Sequence, residues 1–372
     1  MNKKDKPIYV SSPLMPDYEE FTEALRPLWE SRMLTNNGTY LRELERAIGN
    51  YLNEEYVSVY TNGTLPIMAA CHALELTAEV ITTPYTFIAT SHALKWCGLE
   101  PVFVDIDPAT GNLDPSKIEA AITEKTSAIL PVHVYGQPCD VDSIKRIADK
   151  HGLPVIYDAA HAFGVRRDGI SVTAFGDLVT LSFHATKVFN TLEGGAIISR
   201  TPEMKEKLDR LRNFGFESET EITAVGINAK MDEMRAIFGL HSLRRVNEAI
   251  EHRKELALEY NKLLNVPNLI TTPEYHENIH YNYSHYPILL RDKKMRENIY
   301  NSLKSCNIFP RRYFYPVVTA FPPYDQCPGA SEIPNAQSMS ERVLCLPIHT
   351  SIDSSIVKKI SEIILKTIYS NS

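Results

Sequence analysis

Three short segments carry residues whose types and spacing suit them to chemistry. In TNGTL, Thr61 to Leu65, Gly63 stands between a strand-like run and the start of a helix-like one. A glycine there lets the backbone approach a ligand, and the free N–H groups of a helix start favour an anion. The spacing is neither a Walker loop nor a dinucleotide-binding fingerprint. An ordinary N-cap by Thr61 or Asn62 is the plainer alternative. In VIYDAAHAFG, Asp158 ends an apolar strand-like run, where an ionised carboxylate is costly without a cationic partner. Such a group either pairs with a protonated pyridine nitrogen or caps a helix. His161 reads as a general base, a metal ligand or a packing residue. With no second His or Cys at ligand spacing, no metal is expected. In LSFHATKVFNTLEGGAI, Lys187 follows another apolar run with few charges nearby. It is either a surface lysine or a desolvated amine with a lowered pKa, the form Schiff-base chemistry needs. Ser182 can offer its hydroxyl to a phosphate, and Gly194–Gly195 makes a tight turn into the next strand. An anion cradle, a strand-end carboxylate and an amine, in that order, are the parts that pyridoxal 5′-phosphate requires.

The elements that must position these residues alternate. YVSVY, EVITT, PVFVDID, SAILPVHVYG and LPVIYDAA read as strands. Between them, TLPIMAACHALEL, Phe87 to Cys97, Pro115 to Ile122 and Val141 to His151 read as helices. This order predicts an α/β fold with a mostly parallel sheet covered by helices, and ligands outside the carboxyl ends of its strands. LVTLSFH and GGAIISR follow with no helix between them, which predicts an antiparallel addition at the end of the sheet. Asp17 to Met33 and Tyr40 to Leu52 read as helices before the first strand. Pro202 to about Asn213 and Lys230 to Leu264 read as helices after the last. The division expected is a large domain over 1–250, with the N-terminal helical segment, and a small α+β domain over 251–372. YPILL and FPRRYFYP are strand-like in the latter, and Asp353 to Tyr369 is its final helix.

Composition excludes some classes. The 372 residues are 44% hydrophobic and 23% charged, with 39 Lys+Arg against 46 Asp+Glu and a net charge of −7. A mildly acidic chain is not expected to wrap nucleic acid or lie on an anionic membrane. No apolar run reaches the roughly 18–20 residues of a membrane helix. The first residues, MNKKDKPIYV, lack the apolar core of a signal peptide. Six scattered cysteines without C-x-x-C read as free thiols in a reducing cytoplasm. The pairs Lys3–Lys4, Lys293–Lys294 and Lys358–Lys359 read as solvated faces.

GTL, DAAHAFG and SFHATKVFNTLEGGA resemble the nucleotide-sugar aminotransferases of the DegT family, within the fold-type I PLP enzymes. The resemblance runs through nearly the whole chain, including WESRMLTNNG, TTPYTFIAT, GINAKM (Gly226 to Met231) and LPIHTSID. It implies a seven-stranded mixed sheet sandwiched by helices. It also implies a cycle between pyridoxal and pyridoxamine 5′-phosphate. Lys187 would carry the cofactor, Asp158 would pair with its pyridinium nitrogen, and His161 would lie near its phenolic oxygen. Gly63 and Thr64 would give backbone N–H groups to the phosphate, Ser182 its hydroxyl, and Phe87 would lie against the ring. Asn228 would reach the phosphate from a neighbouring subunit, which implies a homodimer with shared sites. Thr35, Arg312, Tyr313 and His349 fall where relatives approach the sugar or nucleotide. Some relatives replace the lysine with histidine and are dehydratases; Lys187 favours transamination. The variants most resemble enzymes that aminate dTDP-4-keto-6-deoxyglucose at C4 with L-glutamate as donor, which implies a surface-polysaccharide (lipopolysaccharide O-antigen) sugar. The alternatives are amination of a 3-keto sugar, another fold-type I activity, and a catalytically silent regulatory homologue. The pair Arg311–Arg312 is either two exposed loop arginines or cations for a sugar diphosphate. IHYNYSHYP reads either as a packed strand of the small domain or as a contact to the nucleotide.

Overall fold

A computed structural model describes residues 6–370. Lys3 and Lys4 lie outside the described residues. Seven strands form the central sheet in the order Tyr56–Tyr60, Gly195–Ser199, Leu178–Ser182, Ile156–Asp158, Thr126–Leu130, Glu79–Thr82 and Glu100–Phe103. Gly195–Ser199 alone runs antiparallel to its neighbours in this sheet. It is inserted beside Leu178–Ser182, not added at the end of the sheet, and Tyr56–Tyr60 takes the edge. This insertion carries the turn after Tyr60 to the end of Leu178–Ser182, through the pairs Gly195–Tyr60 and Gly195–Ser182.

The middle of the sheet has a seam. Ile156–Asp158 meets Thr126–Leu130 and the residues after it only through the isolated bridges Ile129–Val155 and Val132–Asp158. Ile129 N–H donates to Pro154 O at 3.0 Å, Asp158 N–H to Pro131 O at 2.9 Å, and His133 N–H to Asp158 O at 3.0 Å. Pro131 and Pro154 have no N–H to give, so a continuous ladder cannot form there.

The covering helices follow from local signals. Asp140 caps helix Val141–His151 by accepting from Ser143 N–H, and Gly152, at φ +65°, ends it. Val141, Ile144 and Ala148 form its buried stripe. Asp114 caps Pro115–Ala121 in the same way, with proline in the first turn. Two expected helices are divided. Asp17 to Met33 forms Tyr18–Ala24 and Arg26–Ser31, because Pro27 has no N–H to continue the first helix. Lys230 to Leu264 forms Glu233–Leu243, capped by Asp232, and Val246–Leu263. The expected domain boundary after residue 250 falls inside Val246–Leu263.

Beyond that helix, Ile270–Thr271, Tyr286–Leu290 and Val343–Leu346 make an antiparallel sheet. Helices Lys293–Ser305 and Ser354–Ser370 pack together beside it. Of FPRRYFYP only its first residue belongs to a strand, Ile308–Phe309, which pairs with Ile8–Tyr9 from the start of the chain. One apolar core runs from Leu44 and Val59 through Ile250 to Ile360 and Ile364, so the C-terminal elements share buried surface with the large sheet.

Candidate active site

A cavity of about 380 Å³ opens at the carboxyl ends of the central strands. Its floor is the strand that ends in Asp158. The carboxylate is buried and oriented on both oxygens: Oδ1 accepts from Ala160 N–H at 3.0 Å and Oδ2 from the Thr90 hydroxyl at 2.8 Å. Thr86 lies 2.9 Å from Thr90 Oγ1 and donates to it, since Thr90 spends its proton on Asp158. Burial pushes the Asp158 carboxyl above its usual range, against the hydrogen bonds from Ala160 and Thr90 and the charge of Lys187.

Lys187 lines the same cavity and is half-buried. Burial lowers its amine to about 8, opposed by Asp158. Its neutral, nucleophilic form, the state that an amine forming a Schiff base requires, is therefore far more populated near neutral pH than in an ordinary lysine.

His161 is held as one tautomer. Tyr135 N–H donates to its Nδ1 at 3.2 Å, so the ring proton sits on Nε2. Burial, with Lys187 and His285 nearby, holds the ring well below the usual histidine range. The His285 ring lies 4.4 Å from it, centroid to centroid, and burial lowers His285 to about 3. Both imidazoles are neutral, and His161 is a neutral donor.

At the opposite wall, a Cβ on Gly63 would lie 2.7 Å from both Cβ and Oγ of Ser182. Only glycine lets the start of helix Thr64–Ala73 come this near the Ser182 hydroxyl, which makes a cradle for an anion. Asn62 Oδ1 accepts from Thr64 N–H and Leu65 N–H at 2.9 and 3.0 Å. The Thr64 amide is thus spent on a cap within the chain, and an anion here has the Thr64 and Ser182 hydroxyls as side-chain donors. Phe87, at the N-cap of Ile88–Trp96, borders the cavity with 57% of its surface exposed. These residues fit pyridoxal 5′-phosphate: a cradle that a Cβ would fill, an uncovered ring, a neutral imidazole donor, a buried carboxylate and a desolvated amine.

The sequence profile of the DegT/DnrJ/EryC1/StrS aminotransferase family matches residues 16–365. The chain belongs to that family. It is 46% identical to a dTDP-4-amino-4,6-dideoxy-D-glucose transaminase of Shigella dysenteriae, over 96% of this chain and 98% of the relative. It is 44% identical to one of Escherichia coli, over 97% and 99%. The structure of DesI in the presence of its TDP-sugar product superimposes with a TM-score of 0.92 at 34% identity, covering 98% of this chain and 93% of that one. The fold is that of a sugar aminotransferase, with seven strands in its mixed central sheet.

Within this aminotransferase, Gly63, Thr64, Phe87, Asp158, His161, Ser182, Lys187 and Tyr313 border one cavity. Four other residues singled out by the resemblance lie elsewhere. Thr35 and Asn228 are exposed and outside the cavity lining. His349 is buried and spends both ring nitrogens on backbone, Nε2 donating to Tyr9 O at 3.2 Å and Nδ1 accepting from Ser351 N–H at 3.2 Å. Arg312 faces a neighbouring cavity and is paired with Glu297 at 2.8 Å. Thr90, at the end of TTPYTFIAT, and Arg311, of the pair weighed as diphosphate cations, are part of the site or its support, as are Tyr135, His285 and Phe314, to which sequence reasoning assigns no role of their own. His285 stands in IHYNYSHYP just before strand Tyr286–Leu290, so that segment supplies both a packed strand and a cavity wall. Among the described residues no group of three or more His, Cys, Asp or Glu is placed to hold a metal ion, and no helix is long and apolar enough to cross a membrane. All six cysteines are free.

Proposed function

We propose that this chain is a pyridoxal 5′-phosphate-dependent aminotransferase that moves the amino group of L-glutamate to C4 of dTDP-4-keto-6-deoxyglucose, giving dTDP-4-amino-4,6-dideoxyglucose. The observation that carries the reading is the pair Lys187 and Asp158 in one cavity, a half-buried amine lowered to about 8 and a buried carboxylate oriented on both oxygens. The acceptor follows the near-full-length likeness to transaminases of that name.

Pyridoxal 5′-phosphate, when bound, supplies an electron-withdrawing ring conjugated to the reacting carbon. Gly63, Thr64 and Ser182 would hold its phosphate, Phe87 one ring face, and Asp158 its protonated nitrogen. The chain's own groups do the rest. Lys187 Nζ takes the proton from the donor's α-carbon and delivers one to the sugar carbon that gains the amine. With a protonated ring nitrogen beside it Asp158 would stay ionised, and Thr90 and Ala160 hold it in line. His161 Nε2–H would donate to an oxygen at the ring's edge without bringing a positive charge.

Asn228 and Thr35 are assigned to a partner's site in a homodimer. Supporting this, Asn228 lies in an exposed stretch with Ile222, Val225 and Ile227, and Thr35 follows exposed Trp29, Met33 and Leu34. The free thiols are consistent with the cytoplasm, where nucleotide sugars are made for surface polysaccharides.

The test is incubation of the protein with cofactor, L-glutamate and dTDP-4-keto-6-deoxyglucose, with the product assigned by NMR. A new amine at C4 is expected. An amine at C3 of a 3-keto sugar, with none formed here, would replace the acceptor. No amine transfer to either sugar would overturn the reading.

A further inference from the structure

The cavity that holds Lys187 does not end at Phe87. A second cavity of about 290 Å³ continues past it towards Tyr300, Val318 and Phe321. Thr86, Phe87, Arg311, Tyr313 and Phe314 border both spaces. Two consecutive arginines stand here, Arg311 at the junction and Arg312 on the second cavity alone, and they are in opposite states.

Arg312 is committed. Its Nη1 donates to Glu297 at 2.8 Å, and its guanidinium lies 4.4 Å from the centre of the Tyr300 ring and 5.5 Å from that of Tyr315. Arg311 is held only by its main chain, whose N–H donates to Cys345 O at 3.1 Å and whose C=O accepts from Cys345 N–H at 2.7 Å. Among the described residues its guanidinium has no ion pair and no side-chain hydrogen bond. A pinned backbone therefore presents an uncommitted cation where the two cavities meet. A guanidinium offers paired N–H donors that match the oxygens of a carboxylate or phosphate. The acidic side chains at the first cavity are engaged elsewhere: Asp158 by Thr90 and Ala160, and Glu193 beside His184 at 3.6 Å.

We infer that Arg311, and not Arg312, anchors an anionic oxygen group of the substrate at this junction, the diphosphate of a nucleotide sugar. The inference rests on the aminotransferase reading above. With the reacting carbon at Lys187, a diphosphate lies one hexose away and the nucleoside continues into the aromatic second cavity. A small amino-acid donor, bound at the same place in the other half-reaction, meets Arg311 with a carboxylate. The shared chemistry is a pair of anionic oxygens.

The test is calorimetric titration of the cofactor-loaded protein with dTDP and, separately, with glutarate, using wild type, Arg311→Gln, Arg311→Lys and Arg312→Gln. Loss of a charge-assisted contact predicts roughly 10- to 100-fold weaker dTDP binding in Arg311→Gln, with partial recovery in Arg311→Lys. The KM for the nucleotide sugar rises with kcat little changed. Arg312→Gln is expected to lower thermal stability and to change dTDP affinity less than Arg311→Gln does. Weakened glutarate binding with unchanged dTDP binding overturns the diphosphate assignment and gives Arg311 to the donor carboxylate. Unchanged binding of both probes in a folded Arg311→Gln protein overturns the inference. Absence of amine transfer by wild type that still binds dTDP through Arg311 sinks the proposed reaction and leaves the anchor standing.

Discussion

Two partly buried clusters of charge in this protein use similar ingredients to opposite ends. Beside strand Tyr56–Tyr60, Arg212 donates to Glu45 and to Val59 O, and pairs with Asp209 at 2.9 Å. Lys205 joins both carboxylates, at 2.6 Å to Asp209 and 3.3 Å to Glu45. Burial opposes the Arg212 charge, yet Glu45 and Asp209 outweigh it and hold the guanidinium above its usual range. At the cavity the balance reverses. Burial outweighs the partners of both Lys187 and Asp158, and each is moved towards its neutral form. The first cluster is closed, two cations on two carboxylates. The second sets one amine against one carboxylate, both facing the cavity. Between these two clusters it is the direction of the shift that differs.

Substitutions should split along that line. Lys187→Ala is expected to lower amine transfer by at least ~10²–10⁴-fold, the range for loss of a positioned proton-transfer group. Its urea midpoint should stay at or above that of wild type, because a desolvated amine is removed. A turnover rate near wild type would end the comparison. Arg212→Leu takes the guanidinium from two half-buried carboxylates that keep Lys205 and should cost about 1.5–3 kcal/mol in urea unfolding, with turnover per folded molecule retained. Gly63→Ala forces a methyl group against Ser182. Cofactor affinity should fall by about 1–3 kcal/mol, as for overpacking, and equilibrium dialysis would read it. The smallest effect is a displaced pH profile. Neutral Lys187 is the attacking form, so borohydride-trapped cofactor should increase as pH rises through about 8. Asp158 raises the Lys187 pKa, so Asp158→Asn should move that midpoint lower. A midpoint that stayed or rose would show that the two groups are not coupled.

Much of this arrangement is legible in the chain. Helix Val141–His151 is marked at both ends, by Asp140 and Gly152, and along its face by Val141, Ile144 and Ala148. Asp158 and Lys187 stand at the ends of apolar runs where a charge is conspicuous. What is hidden is hidden by distance. Nothing near Thr90 says that its hydroxyl will meet a carboxylate 68 positions on. Arg311 and Arg312 are alike until Glu297 and Tyr300, on a separate helix, occupy one of them. His349 lies in a family motif, and only the backbone of Tyr9, brought alongside by the pairing of Ile8–Tyr9 with Ile308–Phe309, shows that one of its nitrogens is spent. The helix expected over Asp17 to Met33 followed its apolar spacing and overlooked Pro27.

The seam at Pro131 and Pro154 makes the cofactor site a joint between two leaves. Gly63, Ser182 and Lys187 belong to one leaf; Phe87 and Thr90 belong to the other. Asp158 sits on the line between them, its N–H and C=O both spent there. A ligand that touches both sides is a staple across the sheet, and its binding energy adds to the stability of the whole. Amide hydrogen exchange should record this as slowing at Ile129, His133 and Asp158 on cofactor loading, at positions where the ladder itself offers least protection.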